Sequence, residues 1–297
     1  MGSLVAALEK KELLHPPGWL SANIQYETLM GSTAYGVSTE GSDWDVYGFT
    51  IPRKDVVFPH LAGEIIGFGR QKKKFGQFEA NHIVDSSASG GHGREYDITI
   101  YNIVKFLSLV MECNPNMIDS LFTPERCVLH CTSIGRMVLD KRKMFLHKGA
   151  YHKFRGYAFS QVHKMRTKKP EGKRREMVDE FGYDVKYAYH LVRLLGEIEQ
   201  ILSEGDLDLA RDAERLKAIR RGEWKEQQVY DFFEQKEAAL EKLYEESKLP
   251  WGPDEDAIKM LLLNCLEEHY GALPIVVPGK DRAALEEIAG VLERCGI

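Results

Sequence analysis

"MGSTAYGVSTEGSDWDVYGF" (residues 30–49) joins a Gly-Ser pair to a Ser-Asp-Trp-Asp run that passes straight into apolar residues. Just before it, Ile24 to Met30 mixes apolar and polar residues as a strand does, and Gly31 ends that strand. "DVYGFTI" (45–51) reads as a second strand, closed by Pro52. Alternate side chains of a strand point the same way, so Asp43 and Asp45 present two carboxylates on one face. Such a pair suits Mg²⁺, which takes a few carboxylates together with the phosphates of its substrate. Gly31-Ser32 offers backbone N–H groups and a hydroxyl to phosphate oxygens without a bulky side chain in the way, and Gly36 keeps the next turn tight. Alone, a Gly-Ser is an ordinary turn and an Asp-x-Asp an ordinary loop pair. Strand, Gly-Ser, short spacer, Ser-Asp-x-Asp and strand, in that order, point to a metal-dependent phosphate site.

A second metal needs a third carboxylate. "REYDITIYNIVKFLSLVMECNP" (94–115) starts as a strand around Tyr96 to Ile98 and is expected to become a helix near Ile100, stopped by Asn114-Pro115. Glu95 and Asp97 share a face of that strand by alternation. If it lies beside the 45–51 strand, Asp97 completes a two-metal clamp for in-line phosphoryl displacement, with Glu95 as the alternative. The apolar Ile98 and Ile100 that follow favour Asp97. The Gly-, Lys- and Ser-rich segment 60–94 is expected to be a hairpin or a mobile insertion, with short strand-like pieces at "EIIGF" and "ANHIVD".

Helices are expected at 4–14, 116–122, 131–141, 151–166, 175–203, 207–220, 225–247 and 254–270. The chain therefore reads as α+β: a small mixed-sheet domain over 1–125, then an all-helical domain over 126–297 that completes the cleft. On a helix beginning near Tyr183, Lys186, His190 and Arg193 recur at i, i+4 and i+7 and form one stripe. That stripe suits a triphosphate, with Tyr183 or Tyr187 stacking on the base. The structural alternative is an ion-pair network of Asp184, Lys186 and Arg193. Arg155, Gln161 and Lys164 either line the same cleft or form the wet side of their helix.

Bulk composition excludes more than it assigns. With 43% hydrophobic and 29% charged residues among 297, the chain is of the ordinary globular kind. No apolar run reaches the roughly 20 residues of a membrane span, no signal peptide is evident, and Ala6 stands where a myristoylation pattern wants Ser or Thr. A cytoplasmic protein without a membrane partner is expected. The five cysteines are odd in number and scattered, as reduced thiols are, and Cys127, His130 and Cys131 read as a structural cluster rather than a metal site. A net charge of −5 means that nucleic-acid binding has to rest on a local patch. "HKMRTKKPEGKRRE" (163–176) is such a patch.

The opening stretch resembles the Gly-Ser...Asp-x-Asp signature of the DNA polymerase β superfamily of nucleotidyltransferases. "FRGYAFSQVHK" (154–164), "GKRREM" (172–177) and "FGYDVKYAYHLVRLL" (181–195) extend the likeness to the RlaP type, proposed to act in RNA repair. The resemblance implies a small mixed sheet with flanking helices, a triphosphate held at Gly31 and Ser32, and two Mg²⁺ on Asp43, Asp45 and Asp97. It leads to an expected transfer of NMP from an NTP, ATP by default, to an acceptor hydroxyl on RNA, with Mn²⁺ as a substitute metal. Modification of a protein side chain, synthesis of a nucleotide messenger and nucleotide sensing without turnover are the alternatives.

Overall fold

Every residue of β1 (Ile24–Leu29) is buried, polar ones included, so this strand lies inside the molecule with both faces covered. The polar members are satisfied locally. The Glu27 carboxylate accepts hydrogen bonds from Ser3 Oγ (2.8 Å) and from the Leu4 and Val5 N–H groups (2.7 and 3.2 Å), which fastens the N-terminus of α1 (Leu4–Lys10) to the sheet. Thr28 Oγ1 bonds Thr123 Oγ1 and the Cys127 carbonyl.

The computed structural model describes residues 2–71, 73–271 and 273, together with 288, 290–292, 294 and 295. Among these, β1 is joined by β2 (Trp44–Thr50), β3 (Gln77–Asp85), β4 (Arg94–Asn102) and β5 (Val128–Cys131) in one sheet of order β3-β4-β2-β1-β5. The β2–β4 pair is parallel and the others are antiparallel. The short helices α2 (Gly31–Ala34) and α3 (Lys54–Val57) follow β1 and β2, and α4 (Ile103–Met111), α5 (Pro115–Leu121) and α6 (Ser133–Asp140) pack around the sheet. The helical half comprises α7 (Gly149–Thr167), α8 (Lys173–Phe181), α9 (Val185–Glu204), α10 (Ala213–Arg220) and α11 (Glu226–Glu246). Buried along most of its length, α9 is the axis on which α7, α10 and α11 pack. The last helix described, α12 (Glu255–Tyr270), returns to α4 and α6. One buried apolar cluster runs through both halves, so the architecture is the expected α+β.

Several boundaries differ from the sequence reading. The strand holding Asp97 continues to Asn102, because Ile98 and Ile100 are buried as strand residues; α4 starts at Ile103, capped by Asn102 Oδ1 accepting from Val104 N–H at 3.0 Å. The helix expected over 175–203 is two, parted where Gly182 takes φ +82° and Asp184 caps α9 by accepting from the Lys186 and Tyr187 N–H groups. Only 213–220 of the expected 207–220 is α-helical. "EIIGF" forms no strand, whereas "ANHIVD" belongs to the nine-residue edge strand β3. β5 joins the sheet from beyond residue 125, and its four residues carry too little pattern to register as a strand. The expected helical domain ran to 297; residues 274–287 lie outside the described residues.

Candidate active site

Gly31 sits where β1 passes β2, and the Met30 N–H donates to the Asp45 carbonyl at 2.7 Å. A Cβ on Gly31 would lie 2.1 Å from Asp45 Oδ2, and the backbone there has φ +59°, so any side chain would collide with the carboxylate and strain the chain. Gly31-Ser32 opens the single helical turn α2 rather than a plain loop; Tyr35 N–H returns to the Gly31 carbonyl and Val37 N–H to that of Ser32.

The parallel register puts Asp97 directly beside Asp45. Trp44, between the two aspartates of the motif, turns to the other face, where it meets Tyr96 edge-on and the Arg94 guanidinium at 4.3 Å. Asp97 Oδ1 accepts from the His82 N–H at 2.8 Å. That donor reaches it because β3 is irregular between Ala80 and Ile83, with His82 at φ +58°. The His82 ring bonds Glu95 through Nδ1. His82, Glu95 and Asp97 bring ligand atoms within 4.8 Å of one another, and they form the metal-capable cluster among the described residues; Cys127, His130 and Cys131 are not part of it. Burial, followed by the Asp97 charge, raises the Asp45 pKa; Lys186 pulls it down and exposed Asp43 pushes it up. Three carboxylates thus repel one another across two strands. Hard carboxylate oxygens of this kind suit a divalent cation, and of the three aspartates Asp97 is the one that belongs to the cluster with converging ligand atoms among the described residues.

Opposite lies a cleft of about 740 Å³, with Gly31, Asp45 and Tyr47 on the sheet side and Gln161, Lys164, Arg174, Tyr187, His190 and Arg193 on the helical side. Gly31, Asp45, His190 and Arg193 therefore meet in one cavity. Ser32, Asp43, Asp97 and Lys186 flank it: Asp43, Asp97 and Lys186 are within electrostatic reach of Asp45. Tyr183 is buried away from the cleft wall, its hydroxyl donating to the Trp224 carbonyl at 2.7 Å, while Tyr187 lines the cleft with the Arg174 guanidinium 4.0 Å over its ring. Gln161 and Lys164 reach the cleft, but Arg155 is spent on Glu237 (2.7 and 2.9 Å).

Arg193 is buried and makes short ion pairs with Asp119 (2.5 Å) and Glu197 (2.8 Å); its guanidinium also lies 4.3 Å over the Tyr35 ring. Tyr35 donates to the same Asp119 oxygen at 2.8 Å. Burial works against the Arg193 charge, yet Glu197, Tyr35 and Asp119 hold its pKa well above the usual value. The ion-pair network considered for α9 thus exists with other partners: Asp119 and Glu197 take Arg193, and Asp184 takes Arg174 at 2.7 Å. Half-buried His190 has its pKa driven well below 6.5 by burial and by Arg193, Lys186, Arg174 and Arg220, so it offers a neutral imidazole. Tyr35, Tyr47, Asp119 and Glu197 escaped the sequence reading; the one available signal was an acid inside the apolar "NMIDSL" helix.

A mixed sheet that carries Gly-Ser at the end of β1, an aspartate on β2 beside it and another on β4 beyond β2, facing a helical wall that bears basic side chains, is the arrangement of a nucleotidyltransferase of the DNA polymerase β kind. The model of the RNA repair pathway DNA polymerase beta family, RlaP, matches residues 5–251, and the chain belongs to that family. No curated protein matches the chain. Among the described residues no helix is long and apolar enough to cross a membrane.

Proposed function

We propose that the protein transfers NMP from an NTP to a hydroxyl of RNA and releases pyrophosphate. The observation that carries this reading is the register of Asp45 beside Asp97, with Gly31 pressed against Asp45 and a cationic wall across the cleft. The acceptor oxygen bonds the α-phosphorus as the α–β phosphoanhydride bond breaks. Asp43, Asp45 and Asp97 would hold two Mg²⁺, or Mn²⁺ in their place, which supply charge neutralisation at the attacking and leaving oxygens. Gly31 and Ser32 receive the triphosphate of the donor, ATP by default. Lys186, Arg174 and Arg193 offset its charge, and His190, kept neutral, offers a hydrogen bond without adding to it. Tyr187 backs the Arg174 guanidinium, and Tyr183 anchors the start of α9 from behind.

RNA is favoured as acceptor by the family's description and by a second hollow of about 430 Å³ beside the cleft. Lys168, Lys169 and Arg174 line it, and it shares Arg174 and Tyr187 with the first. The test is incubation with each α-labelled NTP, with and without RNA: label is expected in RNA, and label in protein or in a small soluble product alone overturns the acceptor assignment. Changing Lys168, Lys169, Arg174 and Arg175 to Ala is expected to weaken RNA binding and to lower its salt slope by roughly one for each lost phosphate contact. Unchanged binding removes the patch from the interface.

A further inference from the structure

Glycines inside helices cost stability, and in this chain most have a visible reason. A Cβ on Gly135 of α6 would lie 2.3 Å from the Gln25 carbonyl, and one on Gly196 of α9 would lie 2.6 Å from Asp212 Oδ2. Packing requires both. Gly156, in the middle of α7, is the exception: a Cβ there meets nothing within 4 Å, and the backbone is ordinary helix. Nothing within the fold calls for glycine. Yet Gly156 lies on the cleft wall, in a run with Tyr157, Ser160 and Gln161 that the helical period sets on one face, across from Tyr47 and Asp45. The Tyr157 hydroxyl is held by Asn114 Nδ2 at 3.2 Å, which fixes one edge of the face.

We propose that the Gly156 face of α7 is the seat of the donor's nucleoside, the bare backbone letting a flat base or ribose lie close to the helix while Ser160 and Gln161 meet its polar edge. The inference rests on the nucleotidyltransferase reading above and deepens it. Three features select a nucleoside rather than more phosphate. The face is nearly free of charge between Lys153 and Lys164. Gln161 offers both a donor and an acceptor, as a base edge requires. And the phosphate end of the cleft is already defined by Gly31 beside Asp45. One side chain added at Gly156 would fill space that the protein leaves to its ligand.

The experiment uses the full chain and four measurements: Tm, binding of each of the four NTPs without RNA, binding of inorganic tripolyphosphate, and transfer. Because nothing opposes a Cβ at this position, Gly156→Ala is expected to raise Tm by about 2 °C through helix propensity. Gly156→Leu is expected to keep at least the wild-type Tm and to weaken NTP binding about ten-fold or more, leaving tripolyphosphate binding unchanged. A more stable protein that binds its donor less well is the reverse of what a structural glycine gives. NTP binding unchanged in Gly156→Leu overturns the proposal, as does an equal loss of NTP and tripolyphosphate, which would make the face a phosphate site. Loss of RNA-dependent transfer with NTP binding intact also overturns it, in favour of the acceptor. If Gly156→Leu fails to fold, the same comparison is read from Gly156→Ala against Gln161→Ala, where NTP binding weakened in neither overturns it. Wild-type protein that binds no NTP fails the nucleotidyltransferase reading itself, a result distinct from all of these.

Discussion

Two groups of acids lie on opposite sides of the cleft, and the chain treats them in opposite ways. On α5 and α9, Asp119 and Glu197 close on a cation of their own, Arg193, in a buried cluster that also takes up the Tyr35 hydroxyl. On β2 and β4, Asp45 and Asp97 stand side by side with Asp43 near; the lysine that opposes their repulsion, Lys186, is exposed and makes no ion pair with them among the described residues. The first group finds its counter-charge within the fold, with Asp119 Oδ1 and Arg193 Nε left without a hydrogen-bond partner among the described residues. The second has no cation of this chain closed upon it among the described residues. Proximity of carboxylates is common to both, so it does not mark a site; what separates them is whether the neutralising charge is encoded in the same chain.

Substitutions on the two sides test that contrast. Asp43→Asn with Asp45→Asn is expected to lower transfer about a thousand-fold or more while leaving Tm equal or higher, since it removes repulsion rather than a contact; turnover against thermal unfolding checks both. Full activity in that variant would break the comparison. Arg193→Met is expected to act on folding as well as on donor binding, costing about 3–5 kcal/mol of stability because it strands two buried carboxyls, and denaturant unfolding measures it. A loss of less than about 1 kcal/mol would mean that the α9 cluster is not self-sufficient.

His190 gives a smaller, pH-dependent effect. Its pKa in the fold is depressed below the unfolded value, so the unfolded chain binds the proton more readily. Stability from this group is present above about pH 6.5 and is lost as pH falls from there towards the depressed value. Tm is therefore expected to fall less steeply between pH 7 and 5 in His190→Asn than in the wild type. Smallest is Asn102→Ala at the joint of β4 and α4, about 1 kcal/mol from a lost cap, with the acidic pair undisturbed.

What could be read in the sequence was what is local. Gly31, Asp43 and Asp45 lie within one short stretch whose spacing already implies their geometry, while alternation set Glu95 and Asp97 on one face of their strand without choosing between them. The α9 stripe was visible as a period, but a period does not say where a side chain finds its partner. Arg193 pairs with an acid 74 residues away, and Tyr35 with the same acid 84 residues away. No local pattern holds that information. The strand–helix joint was misplaced for a related reason: the apolar residues of "ITIYNIVKF" suit either period, and the decision rests with the Asn102 cap and the burial of Ile98 and Ile100 between sheet neighbours.

The parallel pairing of β2 with β4 has a consequence for the order of assembly. Antiparallel neighbours can zip from a nearby turn, but Asp97 reaches Asp45 only after residues 51–93 have emerged, wandered through β3 and closed a long loop, at an entropic cost incurred before the pairing repays it. The acidic pair is thus expected among the later contacts to form, and like charges discourage its early closure. A chain released from the ribosome before residue 97 has the Gly-Ser turn and two of the three aspartates but not the Asp45–Asp97 pair.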